Sequence, residues 1–247
     1  MNSQWQSVFS VDNLPPMRYD TVTSIWNSDS LILIGTAFQG ILRSSDLGNT
    51  WYFSNTGLVP IRIAKSTTPA VLSIIKTDSH VFIIGTSNGI YRSTDNALTW
   101  HHINGLPEIV NEHQNFLKEN VILTSFGNNV VVGFSPYLRK ELKNSLYRST
   151  DNGESWSPIV NGIPMNDNPV EFLVGEKQKM IAVIDNENSD RVYYSKNSGE
   201  SWTILPDAGE IFNGQRFKWC VVNMQILEGK LYAYTKDRYI WCYNLPD

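Results

Sequence analysis

The stretch STDNGESW at residues 149–156 decides how this chain folds, because it occurs in four versions. The others are SSDLGNTW at 44–51, STDNALTW at 93–100 and SKNSGESW at 195–202. Each follows a short run suited to a strand: GILR, GIYR, SLYR and RVYY. Before the first two of those runs stand LILIGT (31–36) and VFIIGT (81–86), with looser counterparts in NVVVGFS and MIAVIDN. Self-similarity at a fixed period constrains architecture more than any local propensity does. Short β-forming runs punctuated by Gly, Asn, Asp and Ser predict hairpins stacked in series. The best helical stretch is the short PYLRKELKN at 136–144.

The four segments fit S/T-x-D-x-G-x-T/S-W, and the chain resembles the Asp-box (BNR) repeat β-propellers of the sialidase-like superfamily. That group includes sialidases, some glucanases, sorting-receptor ectodomains and many bacterial proteins. The resemblance covers nearly the whole chain. It implies that each box is the turn between the third and fourth strands of a blade. The aspartate would accept hydrogen bonds from turn amides, the glycine would supply a positive φ, and the tryptophan would pack between sheets. Ala97 stands where the glycine is expected and Asn197 where the aspartate is expected. Asn still accepts one such bond, so both are read as tolerated.

The box tryptophans Trp51, Trp100, Trp156 and Trp202 stand 49, 56 and 46 residues apart, and Trp5 in SQWQSVF, 46 residues before Trp51, extends the series backwards. KLYAYTK (230–236) and RYIWCYN (238–244) read as second and third strands with no fourth after them. The expected fold is therefore all-β: one five-bladed β-propeller of Asp-box turns, closed by the N-terminal strand. The expected blades are 22–56, 70–104, 116–160, 170–205, and 217–244 plus 3–10. Closure of this kind removes an open sheet edge.

The bulk numbers agree with one domain. The chain has 247 residues, 41% hydrophobic and 18% charged, and all-β domains of about 200–250 residues are common. A net charge of −4 with no basic stripe argues against nucleic acid. No apolar run is long enough to span a membrane, and the N-terminus lacks the basic and apolar regions of a signal peptide. As given, the sequence reads as cytoplasmic, or as secreted or periplasmic if a leader was removed, and as a monomer. Cys220 and Cys242 are expected on non-adjacent strands of one blade, too far apart to bridge, and so as free, buried thiols.

Loop length separates the two ends of such sheets. Turns between first and second strands are tight: NSDS (27–30), TDS (77–79), GNN (127–129) and EGK (228–230). The boxes lie at that same end. The opposite end carries the long crossings, such as LVPIRIAKSTTP (58–69) and LPEIVNEHQNF (106–116), and the insertions SPYLRKELKN and NENSD. Elaborate loops on a rigid scaffold are where binding concentrates. The candidate binding residues are Arg18, Tyr19, Arg62, His113, Tyr137, Arg139, Arg216 and Trp219. Arg18, Arg62 and Arg216 could converge on an anion. Arg43, Arg92 and Arg148 instead recur at one position of the third strands, which points to a structural task.

Catalysis is not expected. A glycosidase needs two carboxylates about 5–10 Å apart across the sugar bond. The expected inner strands offer only Glu171, with Glu176 at a strand end; Glu108 and Glu112 lie on loops. The resemblance to sialidases implies an arginine motif, yet IRIA at 61–64 lacks its proline. His101 and His102 are adjacent on a strand and point to opposite faces, so they cannot clamp a metal together. No cofactor or metal is expected. The expected function is a non-catalytic module that presents its loops to a protein partner, with carbohydrate binding by a degenerate glycosidase-like propeller as the alternative.

Overall fold

The computed structural model describes residues 21–60, 68–107, 121–134, 145–163, 168–184, 191–205, 221–236 and 238–246. The described residues form antiparallel sheets and no helix. The first sheet has β1 (Val22–Ser28), β2 (Leu31–Thr36), β3 (Ile41–Ser44) and β4 (Tyr52–Phe53). The second has β5 (Val71–Lys76), β6 (Phe82–Thr86), β7 (Gly89–Ser93) and β8 (His101–His102). The third has β9 (Val121–Phe126), β10 (Asn129–Phe134), β11 (Leu146–Ser149) and β12 (Ser157–Pro158). The fourth has β13 (Val170–Glu176), β14 (Lys179–Ile184), β15 (Arg191–Ser195) and β16 (Thr203–Ile204). The fifth has β17 (Val221–Leu227), β18 (Lys230–Thr235) and β19 (Ile240–Asn244). Each sheet keeps its strands in chain order. The helical expectation at 136–144 lies outside the described residues, as does the strand expected at 3–10.

The first strands meet in sequence, β1 beside β5, β5 beside β9, β9 beside β13 and β13 beside β17. They therefore line the side from which the sheets fan out. The second strands alternate between two cores. Phe82 and Ile84 pack towards the first sheet and Ile83 towards the third; Met180 and Ala182 pack towards the third sheet and Ile181 and Val183 towards the fifth. These strands read as continuous apolar runs because both faces are covered.

The IGT repeat now has a physical reason. A Cβ on Gly85 would lie 2.6 Å from Val121 of the next sheet, and one on Gly133 would lie 2.7 Å from Val170. Glycine lets the first strand of the following sheet approach that closely. First strands β1, β5, β13 and β17 each break register near the start, between Val22 and Ser24, Val71 and Ser73, Val170 and Phe172, and Val221 and Asn223. A bulge there adds twist where neighbouring sheets pinch together.

Two equivalent positions reveal how the ends of the row differ from its middle. Opposite the third residue from the end of each second strand stand Ile74, Leu123, Leu173 and Met224, buried against the preceding sheet at 9%, 6%, 4% and 5% exposure; their counterpart Ile25 is 65% exposed. On the third strands Ile41, Ile90, Leu146 and Val192 are buried against the following sheet, at most 3% exposed, while their counterpart Ile240 is 72% exposed. At Ile25 and at Ile240 the preceding face of the first sheet and the following face of the fifth thus expose apolar side chains. Cys242 is free, as expected, but it is exposed. It shares the following face of the fifth sheet with Tyr234 and Ile240, which corrects the expectation of burial; Cys220 lies outside the described residues.

Candidate functional site

Antiparallel order puts the two ends of every sheet to different use. At one end stand the first turns and the boxes. Asp46 accepts bonds from Ser44 Oγ (2.8 Å), the Thr50 amide (2.9 Å) and Thr50 Oγ1 (2.6 Å). Asp95 accepts from Ser93 Oγ, the Leu98 and Thr99 amides and Thr99 Oγ1. Asp151 accepts from Ser149 Oγ and from the Ser155 amide and hydroxyl. The opening serine closes each turn by accepting the amide of Gly48, Ala97, Gly153 or Gly199. Charge-assisted bonds of this number favour the ionised carboxylate. The Thr50 hydroxyl and amide, with Ser44, hold Asp46 at about 2. Burial pushes Asp95 upward, but its bonds to Thr99, Ser93 and Leu98 outweigh that and hold it below the ordinary range. Asp151 is held down in the same way by Ser155 and Ser149.

The two deviant boxes keep the geometry by small changes. Ala97 takes φ 61°, in the left-handed region of its glycine counterparts. Asn197 accepts the Ser201 amide at 3.0 Å and donates to Ser201 Oγ at 2.9 Å, reversing the hydroxyl's role. The side chain at the aspartate position of every box is therefore engaged within its own turn.

The recurrent arginines tie each sheet to the next. Arg43 Nε donates to Asn96 O at 3.0 Å, Arg92 Nε to Asn152 O at 2.9 Å and Arg148 Nε to Ser198 O at 2.9 Å. Each acceptor is a backbone carbonyl in the box of the following sheet. The fifth sheet has no box, and the fourth sheet has Tyr194 instead of arginine; its hydroxyl donates to Pro246 O at 2.8 Å. One indole adds a second tie. Trp51, Trp156 and Trp202 donate to glycine carbonyls in their own boxes, whereas Trp100 reaches Ser54 O of the preceding sheet at 2.8 Å.

Between the third and fourth sheets the box end opens into a cleft of about 200 Å³, lined by Arg148, Thr150, Ser155, Ser157, Asn161 and Glu200 among others. On the inner strands, Glu176 accepts the amides of Glu228 (2.9 Å) and Gly229 (3.0 Å), which clamps the fourth sheet to the fifth and lowers its pKa. Glu171 is half-buried on the same strand. Lys76 Nζ lies over the rings of Trp26 and Phe82, at 5.5 Å and 5.4 Å from their centroids. Among the described residues no group of His, Cys, Asp and Glu could hold a metal ion.

The opposite end receives every crossing between sheets and the connections between second and third strands. Its described rim is a set of local polar ties. Asn55 accepts the Ile41 amide and donates to Gln39 O, and Asn88 donates to Val59 O while Tyr91 OH bonds Asn88. Arg18, Tyr19, Arg62, His113, Tyr137, Arg139, Arg216 and Trp219 all belong to this end by sequence and all lie outside the described residues, as do Glu108 and Glu112. The sequence reading passed over the cleft beside Arg148. The signal for it was the residue paired with each arginine on the fourth strand, which is Tyr52, His101 or Ser157.

Residues 88–242 match the family described as Sortilin-Vps10, "Sortilin, neurotensin receptor 3". No curated protein sequence matches the chain. Among solved structures it is similar to the Niastella koreensis GH74 enzyme, with a TM-score of 0.60 and 16% identity over 87% of this chain and 34% of that one. It is similar to YCF48 from Cyanidioschyzon merolae, with a TM-score of 0.57 and 12% identity over 94% of this chain and 69% of that one. A YCF48 bound to D1 peptide aligns with a TM-score of 0.54 and 12% identity over 94% of this chain and 72% of that one. The chain spans about a third of the length of the GH74 enzyme. Identities this low speak to the fold alone, and the fold is that of a β-propeller. Among the described residues no helix is long and apolar enough to cross a membrane.

Proposed function

This chain belongs to the sortilin-Vps10 family, and we propose that it is a non-catalytic binding module that holds a protein partner on its loop-bearing end. The observation that carries this reading is the contrast between the two ends. At the box end the Asp46, Asp95, Asp151 and Asn197 side chains are engaged by their own turns. At the other end the crossings 54–70, 103–120, 159–169 and 205–220 leave the sheets. A rigid disc with long connections on one side suits recognition of a surface or an extended peptide. The similarly folded YCF48 is seen with a peptide bound.

The same proposal includes a closed ring of five sheets, the blades being 22–56, 70–104, 116–160, 170–205, and 217–244 plus 3–10. The uncovered Ile25 and Ile240 support it, since they occupy positions buried in every other sheet. Bringing the first and fifth sheets together would cover both. The fifth sheet has three described strands where the others have four, and the segment around Trp5 would supply the fourth.

The test is stoichiometric copurification of the full chain with a partner, set beside a glycan array. The proposal expects a one-to-one complex that Arg62→Ala and Trp219→Ala weaken at least tenfold and Asp46→Asn leaves intact. Saturable binding to one glycan class, lost in the same two variants and without a protein partner, would transfer the site to carbohydrate.

A further inference from the structure

We propose that the cleft between the third and fourth sheets is a carboxylate-binding site centred on Arg148, separate from the loop-bearing end. The repeat supplies the comparison. Arg43, Arg92 and Arg148 occupy one position and donate Nε to the same kind of carbonyl, so differences around their outer nitrogens are differences in capping. Arg43 is 5% exposed and lies 5.4 Å from the centroid of the Tyr52 ring. Arg92 Nη2 meets Glu154 Oε1 at 3.5 Å. A carboxylate therefore already sits on this guanidinium position in the neighbouring repeat.

Arg148 has neither cover. Ser157 replaces the tyrosine opposite it, which opens the 200 Å³ cleft. Glu200 occupies the box position of Glu154 and lines the cleft, but it forms no ion pair with Arg148. Nη2 donates to Asn129 Oδ1 at 2.8 Å, which fixes the plane of the guanidinium, and Nη1 has no hydrogen-bond partner among the described residues. Thr150, Ser157 and Asn161, residues with hydroxyl and amide donors, line the same cleft. A preset guanidinium face with hydroxyl and amide donors matches a carboxylate, which accepts through two oxygens. Glu200 sets the affinity from the opposite wall by repelling the same charge.

The carboxylate could be carried by an acidic peptide or by a uronic acid sugar, and the probes separate these sources. The full chain is titrated by amide NMR with acetyl-Gly-Glu-Gly-amide, with its Gln counterpart and with digalacturonate. The proposal expects saturable shifts confined to residues 148–161 and 198–200 with at least one acidic probe and none with the Gln peptide. The acidic probe that binds identifies the source. Ser157→Tyr, which copies the Tyr52 cap onto an exposed strand, abolishes the shifts while the fold is kept. Glu200→Gln tightens binding about threefold, the size of one exposed charge interaction. Equal response to the Gln peptide, absence of saturable shifts with both acidic probes, or undiminished binding in a folded Ser157→Tyr variant, would overturn it.

Discussion

Glycines and aspartates set the terms at the residue scale. Gly57 and Gly162 have φ of 89° and 87°, and a Cβ on either would lie 1.9 Å or 1.7 Å from the carbonyl of Trp100 or Trp202 in the next sheet. Gly105 has a similar φ of 86°, but a Cβ there would meet nothing within 4 Å among the described residues. Alanine at 57 or 162 should therefore cost about 3 kcal/mol or more, and alanine at 105 only about 1 kcal/mol of backbone strain, by urea unfolding. The box aspartates make stability depend on acid. Asp46 titrates at about 2 when folded, below its ordinary 3.8. A group lowered in this way contributes stability above its unfolded value, and that contribution fades as pH falls through the folded one. Thermal melts should lose stability between about pH 4 and 2, and the triple variant Asp46→Asn, Asp95→Asn, Asp151→Asn should flatten that loss, because Asn197 already shows that the amide preserves the turn. The octamer motif made the aspartate's place in the turn legible in the sequence. The clash behind Gly57 was not, since it depends on a carbonyl from a different repeat.

The unit of construction at the element scale is the tie between consecutive sheets. Arg43→Leu removes the charged donor to Asn96 O from a residue only 5% exposed, and a hydrogen bond from a charged group is worth about 1.5–3 kcal/mol. Tyr194→Phe, which loses the bond to Pro246 O, should cost about 1 kcal/mol. Glu154→Gln should change stability by less than about 0.5 kcal/mol, because its pair with Arg92 is exposed on the acidic side. Chemical denaturation of the three variants checks the order. Recurrence in the sequence showed that these arginines serve the repeat, but the acceptor became visible only when the next box stood beside them. The second-strand glycines are a parallel case: LILIGT and VFIIGT were seen as repeats, and the close approach of Val121 to Gly85 gives the cause.

For the whole molecule, the sequence foresaw sheets in series and the end that carries the long connections, because both follow from strand order and spacing. The eight candidate binding residues belong by sequence to the crossings between sheets and, for Tyr137 and Arg139, to the insertion between the second and third strands of the third sheet; no repeat dictates the course of either, so spacing alone could not arrange them into a site. Ring closure rests on two residues that break an otherwise uniform pattern of burial, Ile25 and Ile240. If they face each other, Ile240→Ser should lower stability by about 2 kcal/mol, the value of burying one aliphatic side chain; on an open face it should change little. The most direct measurement is chemical crosslinking of a chain with Ile25→Cys and Ile240→Cys, after Cys220→Ser and Cys242→Ser. A short bismaleimide should join the two sites rapidly within one molecule at high dilution. Reaction that yields only singly modified chains or crosslinked dimers would mean that the first and fifth sheets stand apart and the ring is open.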